Sequence, residues 1–100
     1  MAEDAFVGEL DGDVARIWYY DGTGVRSEVP HVVRDSPVGL SWGYAGKGPS
    51  DAALSILTIE TGNANQAEKY RPAFTQEVVA KLPLNRRFAL PRDEVHRWLD

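Results

Sequence analysis

The chain has 100 residues, 43% of them apolar, with a net charge of −4 and no cysteine. That length fits one domain around one core, burying roughly 60–65% of the surface that the unfolded chain exposes. Disulfides, thiolate nucleophiles and cysteine-based zinc or iron–sulfur centres are excluded, and the acidic balance argues against non-specific nucleic-acid binding.

The first residues, MAEDAFVGEL, carry Glu3, Asp4 and Glu9 and no base, so they lack the basic start of a secretory signal. No apolar run approaches the ~20 residues that span a bilayer, so the expected location is the cytoplasm, with no membrane partner. A short first strand is expected around AFVGEL, ending at the turn Asp11–Asp13. ARIWYY (15–20), rich in aromatic and β-branched types, reads as a strand, and DGTG (21–24) as the turn after it. VRSEVPHVV then returns, with Val25, Val29 and Val33 on one face. Pro30 donates nothing to a ladder, so this strand lies at an edge or ends near Val29.

A glycine-rich stretch, SWGYAGKGPS (41–50), leads into a helix expected over 50–61. Pro49 suits its first turn and Asp51 its positive end. Ala53, Leu54, Ile56 and Leu57 form an apolar side, with Asp51, Ser55 and Thr58 opposite it. Gly62 with Asn63 is a stop. Ala67, Tyr70, Phe74, Val78 and Leu82 continue a helical period over 65–82, in which Pro72 either kinks one helix or starts a second. RRFAL (86–90) reads as a short strand. PRDEVHRWLD closes the chain as a helix with Val95, Trp98 and Leu99 inward, His96 solvated and Asp93–Arg97 paired on the wet side. Together these elements predict a single α+β domain over residues 1–100. It comprises a small antiparallel sheet, made of the N-terminal hairpin plus the strand near 86–90, packed by about three helices.

The residues Ser36, Pro37, Gly39, Trp42, Gly43, Tyr44, Gly46, Gly48 and Pro49, followed by Ala53, Leu54, Ile56 and Leu57, resemble the DUF6166 family of small uncharacterised bacterial and phage-associated proteins. Tyr70, Phe74, Val78, Val79, Ala80, Leu82 and Pro83, and the terminal Trp98–Leu99, are similar to the family's later part. The resemblance covers roughly residues 14–99, with Ala45 in place of a glycine and Pro72 interrupting an otherwise ordinary helical run. It implies the same fold and a task in host–phage conflict or mobile-element maintenance, and it carries no activity with it.

The glycine stretch places Lys47 and Ser50 near a helix start, where unpaired N–H groups favour anions. It does not match a phosphate loop, because Lys47 precedes Gly48 and Pro49 follows it. Gly43, Gly46 and Gly48 also reverse the dinucleotide spacing. The stronger reading is a close-packed turn, with Trp42 and Tyr44 against the sheet. His31 and His96 lack ligand-like spacing for zinc, and no serine sits in a hydrolase motif. No catalytic, cofactor-binding or metal-ligating residue is assigned, so the chain leans away from enzymes and toward no cofactor.

Charge is uneven: residues 1–35 hold eight acids against three bases, and residues 36–100 seven against eight. Asp11, Asp13, Asp21 and Glu28, with Tyr44 and Lys47, are the candidate surface for a partner protein, whose charge would be basic. Lys81, Arg86, Arg87, Arg92 and Arg97 are the alternative, a nucleic-acid contact. A small enzyme or nucleotide binder at the glycine stretch is the third reading, and self-association remains open.

Overall fold

The computed structural model describes residues 4–100. An open antiparallel sheet has the order β3-β2-β1-β4, made of β1 (Ala5–Asp11), β2 (Val14–Tyr20), β3 (Arg26–Glu28) and β4 (Phe88–Pro91). Three helices accompany it: α1 (Lys47–Thr61), α2 (Ala64–Glu77) and α3 (Arg92–Leu99). This is the mixed α+β architecture that the residue patterns predict.

Register determines which side chains meet the helices. Phe6 lies opposite Tyr19 and Leu90, and Gly8 opposite Ile17 and Phe88. Strand period two puts these residues on one face, where Phe6, Ile17, Phe88 and Leu90 are buried. They join Ile56 and Leu57 of α1, Phe74 of α2 and Val95 of α3 in one apolar cluster. Full burial of a side chain such as Phe6 or Phe74 contributes about 1.5–3 kcal/mol. The opposite face carries Arg16, Trp18, Tyr20, Arg26 and Glu28. There the Arg26 guanidinium lies 4.1 Å from the centroid of the Trp18 ring.

The return strand is shorter than VRSEVPHVV suggests. After Glu28 the Val29 N–H still donates to Ile17 O at 2.8 Å, and the missing donor of Pro30 then ends the pairing. Val29 is buried whereas Val25 and Val33 are exposed, so the three do not share a face. β4 begins at Phe88, two residues later than expected, and ends at Pro91.

α1 starts at Lys47, three residues before the expected start, and its residues Gly48–Leu57 are buried all round. The side opposite the apolar one is interior as well: Asp51 and Ser55 are buried because residues 31–36 cross over it. Gly62, at φ 65°, closes the helix with its N–H on Thr58 O. Asn63 then caps α2, its side chain accepting from Asn65 N and Gln66 N. α2 runs through Pro72 as one helix and ends at Glu77, followed by a 3₁₀ turn at Val79–Lys81 in place of a continuous helix to Leu82. In α3, Asp93 and Glu94 occupy the first turn and His96 and Arg97 the last, which complements the helix dipole. Among the described residues Asp93 and Arg97 do not form the expected ion pair. No helix among them is long and apolar enough to cross a membrane.

Candidate functional site

Residues 29–46 contain no helix or strand, yet α1 holds the first half of this segment closely. The wholly buried Asp51 carboxylate accepts from the backbone N–H groups of Arg34 (3.2 Å), Asp35 (2.9 Å) and Ser36 (3.1 Å). His31 Nε2 lies 2.7 Å from Asp51 Oδ2. One turn on, Ser55 Oγ accepts from the Val32 N–H at 2.9 Å. Burial pushes the Asp51 pKa up, but the hydrogen bonds from His31 and the three N–H groups outweigh it and hold the carboxyl below its usual range.

A ring of polar side chains fastens the same segment to α2. Arg71 donates to Ser50 Oγ (2.7 Å), Ser50 donates to Asp35 (3.0 Å), and Arg34 pairs with Asp35 (2.7 Å) and with Glu68 (2.9 Å). Arg71 completes the ring through Glu68 at 3.0 Å. The Arg34 hydrogen bond is the chief cause of the lowered pKa of Asp35, which keeps that carboxylate ionised.

Beyond the ring the chain turns at Pro37–Gly39, with Ser36 Oγ donating to Gly39 O at 2.8 Å. A cleft of about 450 Å³ opens between this turn and the start of α1, lined by Asp35, Pro37, Val38, Leu40, Ser41, Tyr44 and Lys47. Two glycines, Gly48 in its lining and Gly43 beside it, are held in close packing. A Cβ on Gly48 would lie 1.9 Å from Ser41 Oγ. Gly43, at φ +89°, leaves no room either: a Cβ there would lie 2.6 Å from Leu84 Cα. The Gly43 N–H donates to Val79 O at 3.0 Å, and the neighbouring Trp42 is buried against Phe88 while its indole N–H donates to Arg86 O at 2.8 Å. The glycine stretch thus acts as a close-packed turn. Ionised Asp35 in one wall of the cleft opposes an anion at the helix start.

The structure brings only part of each candidate set together. Tyr44 and Lys47 share the cleft, and the Tyr44 hydroxyl lies 2.9 Å from Ser41 Oγ. The four acids do not make one face with them. Asp11 and Asp13 flank the β1–β2 turn at one end of β2, and Asp21 sits at the other end, accepting from Thr23 N (2.8 Å) and Thr23 Oγ1 (2.6 Å). Glu28 is bonded by Arg16 at 3.0 Å. Of the bases, Lys81, Arg86 and Arg87 are exposed between the 3₁₀ turn and β4, and Arg97 is exposed on α3. Arg92 lies at the far end of β4, where its Nε reaches Glu60 Oε2 at 2.9 Å and its Nη1 reaches Tyr19 Oη at 3.0 Å. The Glu60 hydrogen bond raises the pKa of Arg92, and His96 also contacts this buried carboxylate.

Asp51, Ser55, Ser50 and Arg71 were missed as a positioning set. The available signal was α1 itself, because a stretch such as GPSDAALSILTI, with a single charge, reads as a helix buried on every side. Among the described residues no group of three His, Asp or Glu side chains is placed to hold a metal ion.

No curated protein and no solved structure matches the chain. A family model described as "Family of unknown function (DUF6166)" matches residues 6–100, a span that includes all of β1 but Ala5 and the whole of the cleft. The chain belongs to the DUF6166 family.

Proposed function

We propose that this chain acts by binding a partner protein at the cleft beside the glycine stretch, by occlusion or scaffolding and without bond making. The carrying observation is Val38, a large apolar side chain left 95% exposed on a turn whose approach is pinned by buried hydrogen bonds. A pre-ordered turn loses little conformational freedom when it binds, so more of the contact energy appears as affinity. Tyr44 and Lys47 supply an aromatic wall and a cation at the same mouth, and Leu40 and Pro37 extend its apolar lining. The setting we assign is the cytoplasm, in host–phage conflict or mobile-element maintenance.

The test is a tagged pull-down of the full chain from its native host, with and without nuclease, read by intact-complex mass. A stoichiometric protein that survives nuclease, and that is lost with Val38→Asp, supports the reading. Partners that disappear on nuclease treatment, or that are unaffected by Val38→Asp, overturn it.

A further inference from the structure

β1 and β4 are antiparallel with Gly8 opposite Phe88, so Arg87 and Arg86, preceding Phe88, run toward the end of the sheet where β1 turns into β2. That turn carries exposed Asp11 and Asp13, flanked by exposed Leu10 and Val14. The facing segment carries exposed Arg86 and Arg87, with Leu84 exposed before them. Among the described residues none of these four charges enters an ion pair, although Arg16, Arg26, Arg34, Arg71 and Arg92 all do. One end of the sheet thus combines an unmatched acidic turn, an unmatched basic segment and uncovered aliphatic side chains.

We propose that this end is a self-complementary surface through which two copies of the chain associate about a two-fold axis. In such an isologous contact residue i meets j and j meets i, so the acidic turn of each copy faces the basic segment of the other, twice. Leu10, Val14 and Leu84 supply area that gains from leaving water, and the charges set register and reject misaligned partners. The mixed charge selects this occupant. Nucleic acid would be drawn to Arg86 and Arg87 but repelled by Asp11 and Asp13. A partner of one charge sign meets repulsion from half of the surface, whereas a second copy matches both halves. The contact is separate from the cleft turn at Val38, so either reading can fail alone.

The experiment is sedimentation and native mass measurement of the full chain across concentration and salt. At low salt the expected mass is twice the 11.1 kDa of one chain, falling toward the monomer as salt rises. Arg86→Glu with Arg87→Glu, and Asp11→Lys with Asp13→Lys, are each expected to be monomeric. An equimolar mixture of the two variants should form a heterodimer, and the chain carrying all four changes should dimerise again. If circular dichroism shows that a reversal disturbs folding, Asp13→Asn and Arg87→Gln replace it, each raising the dissociation constant several-fold. A chain that stays monomeric from micromolar to millimolar concentration at low salt overturns the proposal. So does a dimer indifferent to these changes, or a monomer whose salt-sensitive RNA or DNA binding is lost with Arg86→Glu and Arg87→Glu.

Discussion

His31 and Asp51, twenty residues apart, meet at 2.7 Å where an irregular segment crosses the most buried helix of the fold. The same carboxylate takes three backbone N–H groups, so it replaces the ladder partners that residues 34–36 lack. Asp51→Ala should orphan these donors and cost about 3 kcal/mol, lowering Tm by roughly 12–24 °C for a domain of this size. Asp51→Asn should fall between the two, because its amide keeps one acceptor oxygen. Thermal and urea unfolding measure both.

The lowered pKa of Asp51 carries a pH signature with a definite sign. Its folded value lies below the ordinary 3.8, so the unfolded chain takes up its proton first as acid is added. The stabilisation is complete above that value and is lost as pH falls through the lower, folded pKa. Urea midpoints of the wild type should therefore fall more steeply below about pH 4 than those of Asp51→Asn. Parallel curves would remove Asp51 as the source.

Gly43 and Gly12 offer a controlled comparison, since both have positive φ, at +89° and +61°. A Cβ at Gly12 meets nothing within 4 Å, whereas at Gly43 it meets the backbone of Leu82 and Leu84. Gly12→Ala should cost about 1 kcal/mol from backbone conformation alone. Gly43→Ala should cost at least twice that, because the backbone of residues 82–84 must shift to admit the methyl group. Chemical denaturation ranks the pair.

Arg92 neutralises Glu60, whose side chain is only 1% exposed. Arg92→Met should cost about 2–3 kcal/mol, less than a fully buried pair because the Arg92 side chain itself is 38% exposed. Adding Glu60→Leu should recover most of the loss, since no buried charge then remains unmatched. A double-mutant cycle by urea unfolding checks the sign and the size.

Val38→Asp, the variant used against the proposed partner, should leave stability within about 0.5 kcal/mol, because the side chain it replaces is almost wholly in water. A larger loss in thermal unfolding would mean that the turn contributes to the fold itself.

Patterns within single elements were legible in advance. Aromatic and β-branched content marked β2, the turn at Asp11–Asp13 marked the end of β1, and Gly62–Asn63 marked the junction of α1 and α2. What depended on another part of the chain was not. Asp51 and Ser55 fall on the polar side of a helical wheel, and only the path of residues 31–36 converts that side into an interior. Helical period carried the second helix on to Leu82, whereas a 3₁₀ turn presents Val79 O to Gly43. The candidate site shows the same division. Tyr44 and Lys47 are close in sequence and remained together, while the acids, spread along the first three strands and the turns between them, were parted by the register of the hairpins.

The strand order has a consequence for synthesis. β1 lies inside the sheet, paired on one side with its sequence neighbour β2 and on the other with β4, more than seventy residues later. On the ribosome the first hairpin can form early, but one edge of β1, with Phe6 and Val7 on it, has no strand to cover it until Phe88–Pro91 has emerged. A nascent chain stalled before that point would present an open apolar edge, the kind of surface that chaperones shield and that seeds aggregation.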